Sequence, residues 1–129
     1  VTELSNEPEQ EELTAIKPTP KQFLKIEIAK QGLSQRDFEI LSAISFCESS
    51  WEQRYPDGTV KISNGNIGLF QINRGAHEVE YTKLGLDPLD EFKNIQYAIL
   101  LYQRNGIRDW VTWSGHCFLP LLAKQGITF

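Results

Sequence analysis

Between Ser34 and Glu48 apolar residues fall at Leu41 and Ile44, with Phe38, Ile40 and Cys47 beside them, and the periodicity then stops at a run of turn residues. That spacing places one face of a helix against a core, with Glu48 on the same face. Ser34, followed three residues on by Asp37, supplies a variant of the capping box at its start. From Ser49 to Asn66 no helical pattern survives. Pro56-Asp57-Gly58 and Asn64-Gly65-Asn66 are turn signals, and Thr59 to Ile62 between them has strand character, so a short irregular hairpin is expected.

Other segments read as helices. Lys21 to Lys30, with Phe23, Leu24, Ile28 and Ala29 on one side, should end at Gly32. Ile67 to Ile72 suggests a short buried helical turn. Asp87-Pro88, with Asp90 as a cap, starts a helix through about Asn105 whose stripe is Phe92, Ile95, Ile99 and Tyr102 and whose stop is Gly106. A last helix is expected over Trp113 to Lys124, interrupted or kinked near Pro120. The fold class is therefore α+β and mainly α.

The 129 residues suit one domain. Residues 1–20 carry Glu3, Glu7, Glu9, Glu11, Glu12 and three prolines, a composition that buries little surface, and read as an acidic arm or linker before a domain over 21–129. Docking of that arm through Leu13 and Ile16 is the alternative. The chain opens at Val1 with neither a Met nor an apolar leader core, which fits removal of a leader or upstream region. No apolar run approaches the roughly 20 residues that span a bilayer. A net charge of −4 without a basic cluster argues against nucleic acid.

Glu48 carries the chemistry. A carboxylate on a buried face near a helix C-terminus is disfavoured in its ionised form, which raises its pKa and suits it to protonate a departing glycosidic oxygen. Twenty residues on stands Gly68-Leu69-Phe70-Gln71-Ile72-Asn73. Glu48-Ser49, a polar loop, this hexapeptide, the Asn94-Ile95 helix start and an aromatic segment near Trp110 and Trp113 together resemble the lysozyme-like superfamily. The likeness is greatest to soluble lytic transglycosylases and covers about Ser34 to Cys117. It implies a lysozyme-like fold with a small β-hairpin beside a cleft, Glu48 as catalytic acid and Gly68 to Ile72 as a cleft wall. The family's usual Ala-Tyr-Asn segment has no clear copy, Tyr102 with Asn105 being a loose analogue.

The resemblance implies cleavage of the glycan strand of peptidoglycan, between N-acetylmuramic acid and N-acetylglucosamine, by a monomer secreted or held in the cell envelope. A catalytically silent module binding peptidoglycan or an envelope protein is the alternative. No metal or cofactor is expected. Glycoside hydrolysis commonly uses a second carboxylate, for which Glu52, Asp57, Glu78, Glu80 and Asp109 are candidates. Asp57 is favoured for its place in the expected hairpin, and Glu48, Asp57 and Ser63 resemble the Glu, Asp and Thr of phage-type lysozymes. Without such a partner Glu48 serves alone, as acid and then base. Gln71 and Asn73 are candidate hydrogen-bonding partners for sugar, and Tyr55, Phe70, Tyr81, Tyr102, Trp110 and Trp113 candidate platforms.

The two cysteines, Cys47 and Cys117, leave three possibilities open. A disulfide would close a loop of about 70 residues and contribute roughly 4 kcal/mol. Buried free thiols compete with it, and a zinc site with His77 and His116 is disfavoured by spacing.

Overall fold

The computed structural model describes residues 17–129, so most of the acidic arm expected over 1–20 lies outside the described residues. Five helices are described: α1 (Pro20–Lys30), α2 (Gln35–Ser49), α3 (Arg74–Leu84), α4 (Glu91–Asn105) and α5 (Arg108–Lys124). Between α2 and α3 lies an antiparallel sheet of three short strands, β1 (Ile62–Ser63), β2 (Asn66–Ile67) and β3 (Ile72–Asn73), in that order. The protein is thus mainly helical α+β.

Local signals account for most element ends. Thr19 caps α1 one residue earlier than expected, its Oγ1 accepting from Gln22 N at 3.2 Å, with Pro20 in the first turn where a missing N–H costs nothing. Lys17 pairs with Glu91 at 2.9 Å, so the described end of the arm rests on α4. At α2 the expected Ser34–Asp37 box is present in both directions. Asp90 caps α4 through Phe92 N and Lys93 N, and Gly106 follows its last residue. The two-residue turn Asn64-Gly65 joins β1 to β2 with φ of 53° and 79°. Both values match the primed turn that follows the twist of a hairpin.

Two expectations are corrected, and one helix is added that the sequence reading did not include. Ile67 to Ile72 is no helical turn: Ile67 and Ile72 are cross-strand partners, and Gly68 to Gln71 bends between them. Gly68 and Gln71 both have positive φ, which breaks a right-handed helix. Arg74–Leu84 forms a helix that periodicity misses, because Tyr81 is its one buried residue. The last helix starts at Arg108 and runs unbroken through Pro120, with Phe118 and Leu122 buried on either side of the proline.

The core joins Leu24 and Ile28 of α1, Leu41 and Ile44 of α2, Ile95 and Leu101 of α4, and Trp110 and Phe118 of α5 around Leu69, Phe70 and Ile72. Cys47 of α2 and Cys117 of α5 are disulfide-bonded. The bond removes both sulfurs from the free-thiol and zinc-ligand alternatives.

Candidate active site

Gly68-Leu69-Phe70 is buried and Gln71 half-buried, yet the backbone of this segment makes few ladder bonds. Side chains from four places serve it instead. Gln53 Oε1 accepts from Leu69 N at 2.9 Å, and Asn94 Oδ1 from Phe70 N at 3.0 Å. Asn94 Nδ2 donates to Ile67 O. Ser45 and Ser49 Oγ both donate to Leu69 O, and Trp110 Nε1 to Phe70 O at 2.9 Å. Buried backbone polar groups must be paired. This motif is therefore a hub that fixes α2, α4 and α5 relative to the hairpin. An added Cβ at Gly68 would lie 2.6 Å from Asn94 Nδ2 and closer still to Gln53 Oε1, which leaves glycine alone at this position.

The hub holds one wall of a groove. Its larger lobe, about 600 Å³, is lined by β-hairpin residues including Ser63, Asn66, Gln71 and Asn73, by His77 of α3, and by Asp109, Trp110 and Trp113 of α5. A smaller lobe of about 300 Å³ is lined by Cys47, Ser50, Tyr55 and Lys61 among others. Glu48, Ser63 and Gln71 line both lobes, so they form the waist where the lobes meet.

Glu48 is the penultimate residue of α2 and is half-buried. Burial pushes its carboxyl above the usual range, and a hydrogen bond from Ser114 opposes that shift in part. Ser114 Oγ, itself buried, lies 2.6 Å from Glu48 Oε2 and 3.2 Å from Trp110 O. Its single proton can favour either acceptor, so it serves both charge states of the acid. With Oε2 held by Ser114, Oε1 has no partner among the described residues and is not sealed from solvent. Oε1 is the oxygen free to exchange a proton with a ligand. Nothing in the local sequence marks Ser114; its partner lies 66 positions away.

The other sequence candidates divide. Gln71 and Ser63 reach the waist, Tyr55 the smaller lobe, and Asn73, Trp110 and Trp113 the larger. Gln71 is held by a bond from its Nε2 to Gly68 O at 3.0 Å, which leaves its Oε1 for a ligand. Asn73 is committed to structure, its Oδ1 capping α3 at Ala76 N and its Nδ2 donating to Asn66 Oδ1. Trp113 is 79% exposed, a flat apolar face at the mouth of the groove.

Phe70 is not a platform. It is fully buried, its ring edge-on to Trp51 and tilted against Trp110. Tyr102 lines neither lobe; its hydroxyl donates to Asp37 Oδ1 at the start of α2, and burial together with that bond raises its pKa. Tyr81 is buried edge-on to Tyr97. Asp57 also lines neither lobe, since its Oδ1 accepts from Thr59 N and Thr59 Oγ1 within its own turn, bonds that lower its pKa. Glu52 pairs with Lys61, Glu78 with Arg74 and Glu80 with Arg104. Asp109 lines the larger lobe but not the waist.

Comparison with protein-family models, curated proteins and solved structures found no match. Among the described residues no helix is long and apolar enough to cross a membrane.

Proposed function

We propose that the chain is a lysozyme-like muramidase that cleaves the glycan strand of peptidoglycan by the lytic transglycosylase route, acting in the cell envelope or secreted to it. The supporting observation is the composition of the waist. Glu48 there stands beside a hydroxyl, Ser63, and an amide, Gln71, while Asp57 is turned into its own loop. A groove running past Glu48 on both sides, with burial raising the pKa of its carboxyl, suits a polymer whose bond is cut at that point.

In this scheme Glu48 Oε1–H gives its proton to the glycosidic oxygen as the bond from the muramic acid C1 to that oxygen breaks. The carboxylate then takes the proton of the muramic acid C6 hydroxyl, whose oxygen bonds C1 and closes a 1,6-anhydro ring. Glu48 ends protonated as it began, and no water is consumed. A hydrolase would instead need a group to position water across from the acid.

Mass spectrometry of purified peptidoglycan incubated with the protein and with its Glu48→Gln variant tests the proposal. Anhydro-muropeptides from the wild type, falling at least about 100-fold in the variant, are the expected outcome. Reducing-end products would overturn the single-acid route. Absence of products from both proteins would overturn catalysis and favour the binding module.

A further inference from the structure

His77 lines the larger lobe from the first turn of α3 and is half-buried. Its Nδ1 lies 3.2 Å from the hydroxyl oxygen of Tyr97, a fully buried residue of α4. The hydroxyl proton of Tyr97 is already committed to Glu80 Oε1 at 2.7 Å. Glu80 is in turn clamped by both terminal nitrogens of Arg104, at 3.0 and 2.9 Å, and these bonds hold its carboxyl down at about 2. A permanently ionised acceptor keeps the tyrosine proton, so the tyrosine oxygen can only accept from the imidazole. The neutral ring must then carry its proton on Nδ1 and its lone pair on Nε2. Nε2 has no hydrogen-bond partner among the described residues and is not sealed from solvent.

We propose that His77 is a substrate-binding residue of the larger lobe, its Nε2 accepting a hydrogen bond from a hydroxyl or acetamido N–H of the sugar bound there, with the tautomer set by the Tyr97–Glu80–Arg104 chain. This rests on the glycan reading of the groove and deepens it. Nearby Trp113 offers the apolar face and His77 the acceptor, a pairing that fits the alternating apolar and polar surfaces of a pyranose.

The consequence is a pH dependence of binding. The charged and titratable groups around the ring are Tyr97 and Arg104 of α4, Glu80 of α3, Asp109 of α5 and, lining the same lobe, Glu48 of α2. Burial holds His77 below its ordinary value, with Asp109 and Glu80 pulling up and Arg104 pulling down. The ring is therefore neutral at neutral pH. Acidification through its depressed pKa turns Nε2 from acceptor to donor and removes the bond.

The test uses the Glu48→Gln protein, to prevent turnover, titrated calorimetrically with a defined tetrasaccharide of alternating N-acetylglucosamine and N-acetylmuramic acid. Adding His77→Ala should weaken binding roughly fivefold, the loss of one hydrogen bond. His77→Gln, whose amide oxygen can stand in for Nε2, should restore affinity and abolish the acid limb that the parent shows. Two-bond ¹H–¹⁵N spectra of the wild type, with His77 assigned by its substitution, should show the Nδ1–H tautomer. Unchanged affinity on His77→Ala, an Nε2–H tautomer, or an acid limb that persists in His77→Gln overturns the proposal. If the Glu48→Gln protein binds no tetrasaccharide while wild type still releases anhydro products, His77 loses its role and glycan cleavage stands. Failure of both overturns the two together.

Discussion

Replacing Cys47 and Cys117 together by alanine should cost roughly 4 kcal/mol, from the chain entropy released when a loop is opened. The magnitude follows from the sequence separation of 70 between the bonded residues. For a domain of this size each kcal/mol shifts the melting temperature by about 4 °C, so the variant should melt roughly 15 °C below the oxidised parent. Circular dichroism melts of the two proteins measure this directly. The stabilisation acts mainly by restricting the unfolded chain, while Glu48–Ser114 and the bonds to the Gly68–Gln71 hub remain to join α2 to α5. Well below its melting point the variant should therefore keep most of whatever anhydro-product formation the oxidised parent shows in the test of the proposed function. A shift under about 5 °C would refute the loop-entropy reasoning. A large loss of activity while the variant is still folded would instead make the bond a positioning element for Glu48.

The Glu48 pKa is raised in the fold, so its contribution to stability is full below the unfolded value and is lost as pH rises through the folded one. Glu48→Gln should then melt at or above wild type at neutral pH, and lower there would contradict the burial of an unwanted charge. Ser114→Ala removes the bond that favours the ionised acid. The basic limb of its kcat/KM profile should move to higher pH with a reduced kcat; a downward shift would count against Ser114 as its partner. Gly68→Ala must place a Cβ among Gln53 and Asn94 at a φ of 69°. It should lose about 3 kcal/mol or more in denaturant unfolding, and wild-type stability would disprove the close approach. Asp57→Asn, which keeps an acceptor for Thr59, should leave turnover unchanged; a loss of about 100-fold would restore Asp57 as a second carboxylate.

Legibility in the sequence followed the range of the forces involved. The Ser34 box, the Asp90 cap, the Gly106 stop and the Asn64-Gly65 turn are made by residues within four positions of one another, and each element they bound lies close to where it was expected. Glu48 was also legible, because one helical stripe both places it and desolvates it. Helix α3 was not, since a single buried tyrosine leaves almost no periodic trace and its stability comes from packing. Phe70 illustrates the same limit: an aromatic in the motif is equally a platform or core until Trp51 and Trp110 are seen to enclose it. Asp57 stands in the expected turn but lines neither lobe, and its turn satisfies its carboxylate locally.

The sequence alone determined the helical class, the turn-rich interruption and the placing of Glu48 on a half-buried helical face. The longer-range partners came from the folded chain: Ser114 beside Glu48 from 66 residues away, Tyr97 beside His77 at a separation of 20, and the pairing of Cys47 with Cys117. Hydrogen bonds of a few ångströms between groups so far apart in the chain depend on how α2, α3, α4 and α5 pack, and no local pattern encodes a distance between helices.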